Sequence, residues 1–223
     1  MAEQSVFFKS GDLKLHGMFS PVPEGKPHSA AIICHPHPIY GGTMDNNVVM
    51  AVARALQETG HATLRFNFRG VERSEGRHAG GIGEIEDVRA AIKFVQEKTG
   101  NGESPIVLAG YSFGSWVVSN ALAGDSSVSH VILVGPPTSM FDFAALVKGK
   151  EERARHIIVG ERDQFCDRDN LQSIFEQLPE PKTMRVIPRA DHFFFGRESM
   201  LIEAVKETIA DHSATRGGER RKE

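Results

Sequence analysis

The residues of this chain best suited to chemistry lie in Gly110-Tyr111-Ser112-Phe113-Gly114, a serine flanked by glycines two positions to either side. A hydroxyl in this setting suits nucleophilic attack on an acyl carbon. A serine held on a tight turn between a strand and a helix takes up an unfavourable backbone conformation that lifts its oxygen clear of the sheet. Side chains at the flanking positions would collide where strand and helix cross, which is why glycine stands at both. A helix starting at the serine also turns its unpaired N–H groups and the positive end of its dipole toward charge forming there. The pentapeptide alone is a common pattern. Its place after the apolar run Ile106-Val107-Leu108-Ala109 and before a helical segment makes it specific. Such a serine needs a base to take its proton, and histidine titrates in the right range. Ten histidines are available, so the base must be chosen by position.

Positions follow from the elements. Ala30–Cys34 is a continuous apolar run closed by prolines, the pattern of a strand buried on both faces. Ala62–Phe68, Pro105–Gly110, His130–Gly135, His156–Gly160 and Thr183–Ile187 read the same way. Ser5–Lys9 and Leu13–Phe19, joined by Ser10-Gly11-Asp12, read as a hairpin. Helical patterns fall between these runs at Val48–Thr59, around Ile85, Val88, Ile92 and Val95, and at Ser115–Ala123, Asn170–Leu178 and Leu201–Ile209. A hairpin followed by strand–helix alternation predicts an α/β fold, a mostly parallel sheet covered by helices on both faces. Functional groups in such a sheet gather beyond the carboxyl ends of the strands.

The 223 residues suit one domain, expected over 1–212, with a polar tail over 213–223 that has nothing apolar to bury after Ala214. A net charge of −3 offers no general attraction to nucleic acid or anionic lipid. The two cysteines, Cys34 and Cys166, have neither disulfide-framework nor metal-ligand spacing. With neither a signal-peptide pattern at the start nor a membrane-length apolar run, the expectation is a cytoplasmic protein.

Gly110–Gly114 in its strand–helix setting, together with Phe66-Asn67-Phe68-Arg69-Gly70-Val71-Glu72-Arg73-Ser74-Glu75-Gly76, resembles the α/β-hydrolase superfamily. The second segment is similar to the superfamily's F-R-G-x-G-x-S-x-G stretch and departs from it at Glu72, where glycine is usual. The likeness extends from the hairpin to the helix near Ile209, and is greatest to small, largely lidless bacterial members related to dienelactone hydrolases. Those enzymes carry a cysteine nucleophile where this chain has serine, so their substrate does not carry over.

The resemblance implies an eight-stranded sheet and the chain order nucleophile, acid, histidine. His130, His156, His192 and His212 follow Ser112. The first two open predicted strands at the wrong end of the sheet, and His212 lies past the last apolar helix position. His192, in Arg189-Ala190-Asp191-His192-Phe193-Phe194, follows a strand at the right end and is the expected base. The family's G-x-x-D motif matches Gly160-Glu161-Arg162-Asp163 and nominates Asp163 to orient it, with Glu161, Asp167 and Asp191 as rivals.

An oxyanion hole would draw on the N–H of Phe113 and on one from the loop His35-Pro36-His37-Pro38-Ile39-Tyr40-Gly41-Gly42. Proline has no N–H, and His37 stands where family members place a donor. His35 and His37 taken as metal ligands are an incomplete set, and neither metal nor cofactor is expected. Tyr40, Phe141, Phe143 and Phe193 are the candidate substrate-binding residues. The interval Gly135–Arg155, where relatives insert a lid, has room for one short amphipathic segment. The expectation is therefore a serine esterase acting on small to medium acyl groups of a small-molecule ester. A thioesterase, a peptidase and a non-catalytic binding protein of the same fold are its alternatives.

Overall fold

The computed structural model describes residues 3–22, 29–100, 105–122, 127–148 and 153–219, with side chains described through residue 210. Two antiparallel strands, β1 (Gln4–Ser10) and β2 (Leu13–Ser20), open the fold. After them come β3 (Ala30–Cys34), α1 (Asn47–Glu58), β4 (Ala62–Phe66), α2 (Ile82–Thr99), β5 (Ile106–Tyr111) and α3 (Phe113–Ala121). The second half holds β6 (Val128–Val134), α4 (Ala144–Lys148), β7 (Ala154–Gly160), α5 (Arg168–Gln177), β8 (Lys182–Ile187) and α6 (Glu198–Glu219). All eight strands join one sheet in the order β1-β2-β4-β3-β5-β6-β7-β8, parallel from β4 onward.

Alternation along the central strands divides the core in two. Ile32, Cys34, Ile106 and Leu108 face one side, where α2 and α3 bring Val88, Ile92, Val95, Val117 and Val118. Ala31, Ile33, Val107 and Ala109 face the other, against Val48, Val52 and Leu56 of α1 and Leu201 and Val205 of α6. Each face is covered, which is why these strands read as unbroken apolar runs. Cys34 is fully buried, and burial pushes its thiol well above the usual range, so it is an inert strand residue.

Two boundaries differ from the sequence reading in ways that matter. The strand expected to reach Phe68 ends at Phe66, leaving Asn67 and Phe68 to contact loops at the functional end. The helix expected from Ser115 begins at Phe113, directly after the serine, so its first turn belongs to the site; Ala123, its expected end, lies outside the described residues. α6 carries helical backbone to Glu219, into the stretch composition reads as a polar tail, and residues 220–223 lie outside the described ones. Between β6 and β7 the described chain contains only the five-residue α4 as regular structure, a minimal lid at most. Among the described residues, no helix is long and apolar enough to cross a membrane.

Register sets the geometry of the functional end. Cys34 pairs with Gly110, Tyr111 with Val134, Val134 with Ile158, and Gly160 with Ile187. The carboxyl ends of β3, β5, β6, β7 and β8 thus stand level, and the loops leaving them share one edge.

Candidate active site

Ser112 leaves β5 with φ 53° and ψ −120°, in the left-handed region that a side chain adopts only when its surroundings enforce it. The enforcement is local. Its N–H donates to the Val134 carbonyl at 2.9 Å, and its own carbonyl accepts from the Ser115 N–H at 2.9 Å and the Ser115 hydroxyl at 2.5 Å. A Cβ at Gly110 would run into the Gly114 carbonyl, where strand and helix cross. Gly114 is required for another reason: a Cβ there would come within 2.5 Å of the Cys34 carbonyl oxygen on the neighbouring strand.

His192 reaches the serine from the loop after β8. Its Nε2 lies 2.9 Å from the Ser112 Oγ, and its Nδ1 lies 3.0 and 2.9 Å from the two carboxylate oxygens of Asp163. The Asp163 side chain is fully buried and that of His192 nearly so. A carboxylate at Nδ1 holds the imidazole proton there, leaving the Nε2 lone pair to accept from the serine hydroxyl. The three residues sought from motif and chain order therefore form one hydrogen-bonded series. The rivals for the acid are engaged elsewhere: Glu161 accepts from the Arg189 N–H, Asp167 caps α5 through Asn170, and Asp191 caps the turn at Phe193 and Phe194.

Several residues to which the sequence reading gave no positioning role hold this series in place. The Tyr111 hydroxyl donates to the His192 carbonyl at 3.0 Å, fixing the loop from below. Gly135, at φ 52°, leaves only 3.3 Å between a hypothetical Cβ and both Asp163 Oδ2 and His192 Nδ1. Gly160 lets the backbone of Ala190 and Asp191 approach to where a Cβ would lie 2.5 and 2.6 Å from their carbonyls. Gly160 was legible as the first residue of G-x-x-D. Gly135 ends an apolar strand before Pro136-Pro137, which is a signal for a turn and not for a role.

The loop after β3 forms the adjoining wall. His35 is fully buried, donating through Nδ1 to the Pro36 carbonyl at 2.6 Å and accepting through Nε2 from the Phe68 N–H at 3.0 Å. Desolvation holds its pKa down to about 4, so it is a neutral strut between the β3 and β4 loops with no lone pair to spare for a metal. His37, half-buried, lines the cavity, and its ring packs 4.5 Å from that of Phe113. Among the described residues, the N–H groups of His37 and Phe113 have no acceptor. Asn46 caps α1 through Val48. At Glu72 the backbone adopts φ 48°, in the left-handed region that favours glycine, and its carboxylate accepts from Asn67 Nδ2 at 2.6 Å.

A cavity of about 380 Å³ opens over Ser112. Tyr40, Phe141 and Phe193, three of the four candidate substrate-binding residues, line it. Phe143 is not among the lining residues: just ahead of α4, it is buried with Leu146 in the core on the α2–α3 face. Phe165 and Met140 line the cavity in its stead. Neither carried a signal, because both sit in loops without periodicity.

A mostly parallel eight-stranded sheet entered by an antiparallel hairpin, with a strained serine between β5 and α3, defines the α/β-hydrolase class of proteins. The chain belongs to the alpha/beta hydrolase domain family, whose model matches residues 31–215. It is similar to an alpha-beta serine hydrolase homologue from Coxiella burnetii, with 35% identity over 93% of this chain and 97% of that one and a TM-score of 0.83. A serine hydrolase of Xanthomonas campestris described as lacking a lid is 29% identical over 95% of both chains, with a TM-score of 0.82. An uncharacterized protein of Rickettsia prowazekii is 28% identical over 213 residues, 92% of this chain and 87% of that one.

Proposed function

We propose that this protein is a serine hydrolase that cleaves carboxylic esters of small to medium acyl groups through an acyl-enzyme. Ser112 Oγ attacks the ester carbonyl while His192 Nε2 takes the hydroxyl proton. The tetrahedral oxyanion accepts hydrogen bonds from the N–H groups of Phe113 and His37. Collapse expels the alcohol, which leaves with the proton held by His192, and Asp163 stabilises the transient imidazolium. Water, deprotonated by the same imidazole, then attacks the acyl-enzyme and frees the acid and Ser112. The observation that carries this reading is the unbroken contact from Asp163 through His192 to Ser112, at 2.9 Å on each side of the ring. The cavity volume and the open interval between β6 and β7 support short acyl chains, and Phe141, Phe193 and Tyr40 supply apolar surface for them.

Hydrolysis of a p-nitrophenyl ester series from acetate to palmitate, with Ser112→Ala as control, tests the proposal. Activity should peak at short to medium chains and vanish in the variant. Highest kcat/KM at palmitate would refute the acyl-size assignment.

A further inference from the structure

His37 has a side chain that the hydrolytic cycle does not use. Its Nδ1 accepts from the Ile39 N–H at 3.3 Å, capping the turn Pro38–Tyr40, so the proton of the neutral ring sits on Nε2. Its backbone carbonyl accepts from the N–H groups of Tyr40 and Gly42, both at 3.1 Å. The ring lies between those of Phe113, Tyr40 and His78, with centroids 4.5, 5.0 and 4.9 Å away. Burial and His78 together push the imidazole below its usual pKa against the opposing pull of Glu84, which keeps it neutral. The result is a rigidly held ring on the wall of a mainly aromatic cavity, with Nε2 lacking any protein partner among the described residues. Of the other polar groups on that wall, Tyr111 is committed to the His192 carbonyl, Ser112 and His192 to each other, and the Asn46 oxygen to the α1 cap, while the Tyr40 hydroxyl sits on a side chain 79% exposed to solvent.

Resting on the ester-hydrolase reading, we propose that the His37 imidazole is a specificity-determining residue. Its Nε2–H donates to an acceptor oxygen that the substrate carries outside its reacting ester group. The favoured substrates are then esters bearing an ether, keto or hydroxyl oxygen a few bonds from the scissile carbonyl, in preference to plain alkyl esters of the same shape. A site that hydrogen-bonds such an oxygen discriminates against the analogue lacking it, because a bound alkyl chain displaces water from the donor and leaves it unpaired.

The test uses butyl butyrate and two near-isosteres that exchange one CH2 for oxygen: butyl methoxyacetate on the acyl side and 2-methoxyethyl butyrate on the alcohol side. Hydrolysis is followed by pH-stat in wild type, His37→Asn and His37→Gln. Asparagine reproduces the Nδ1 acceptor and removes the Nε2 donor, whereas glutamine places an N–H near the Nε2 position. The ratio of kcat/KM for ether over butyl butyrate cancels both intrinsic reactivity and any disturbance of the backbone donor. For at least one ether this ratio should fall about five- to tenfold in His37→Asn and stay within about twofold of wild type in His37→Gln. If His37→Asn does not fold, His37→Phe, which keeps a ring against Phe113, takes its place. Unchanged ratios for both ethers, or an equal fall in the glutamine variant, would overturn the proposal. Failure of wild type to hydrolyse butyl butyrate would instead overturn the ester-hydrolase reading beneath it.

Discussion

The two walls of the cavity are built differently. On one side stand the β3 loop and the turn at Ser112, where backbone and side-chain hydrogen bonds fill nearly every position. His35 is saturated at both nitrogens, the His37 carbonyl accepts twice, and Gly42, Gly110 and Gly114 sit where a Cβ would strike a carbonyl. Opposite them are side chains held mainly by ring contacts. Phe193 is 42% exposed and Met140 54%, while beyond them Phe195 stacks on Phe193 with 71% of its surface in water. The locked wall carries Ser112 and the N–H groups of Phe113 and His37. On the other side His192, tied to Asp163 and Tyr111, shares its loop with Phe193, and the exposed side chains around it supply shape and apolar area. Exposed side chains such as Met140 and Phe193 can therefore vary with less disturbance to the backbone around Ser112 than residues of the β3 loop.

This contrast can be broken or sharpened in order of effect. Replacing His192 by alanine removes the base while leaving the locked wall standing. Its kcat on p-nitrophenyl butyrate should drop by a factor on the order of 10⁴ to 10⁶, with circular dichroism unchanged. A loss under tenfold would mean another group takes the serine proton.

His35 gives the next largest effect, expressed in stability. Its pKa is about 4 in the fold against 6.5 for the free ring, so the unfolded chain binds the proton more readily. The stabilisation is complete above pH 6.5 and is lost as pH falls toward 4, amounting to about 3 kcal/mol. Denaturant unfolding at about pH 7.5 and pH 4 should show wild type losing about 3 kcal/mol more than His35→Gln across that interval. Parallel losses would show that His35 does not stay neutral in the fold.

Gly114→Ala should follow, since its new methyl meets the Cys34 carbonyl and neither strand nor helix can yield cheaply. A loss of about 2 kcal/mol is expected, lowering the melting temperature by about 4 to 8 °C and activity with it. An unchanged melting temperature would show slack in the wall described here as locked. The smallest effect belongs to the other side. Phe193→Ala should raise KM about three- to tenfold with kcat and melting temperature little altered. A collapse of kcat would assign Phe193 to the positioning of His192, whose ring it meets edge-on at 5.6 Å.

The same contrast explains what was legible in the sequence. The sheet, the order of its elements and the position of Ser112 rest on patterns with steric causes: apolar runs buried on both faces, and glycines where strand and helix cross. Asp163 and His192 could be sought because the resemblance to the superfamily implies the chain order nucleophile, acid, histidine and a G-x-x-D motif. The loops after β7 and β8 also leave the edge that Ser112 does. Roles carried by exposure were hidden. Phe143 and Phe165 look alike as residue types, and only tertiary placement sends one into the core and the other to the cavity. The side chains of His35 and His37 likewise look alike in the sequence, and burial makes one a strut and the other part of the cavity wall. Tyr111 sits inside the motif itself, yet its hydrogen bond spans 81 positions of sequence, which no local pattern encodes.

The most direct test of the central claim, that Ser112 is activated as a nucleophile by His192 and Asp163, is reaction with a fluorophosphonate followed by intact-mass analysis. Wild type should gain one phosphonyl group, mapped by peptide sequencing to Ser112, and Ser112→Ala should gain none. Equal labelling of the two proteins, or a modified peptide elsewhere in the chain, would contradict the account.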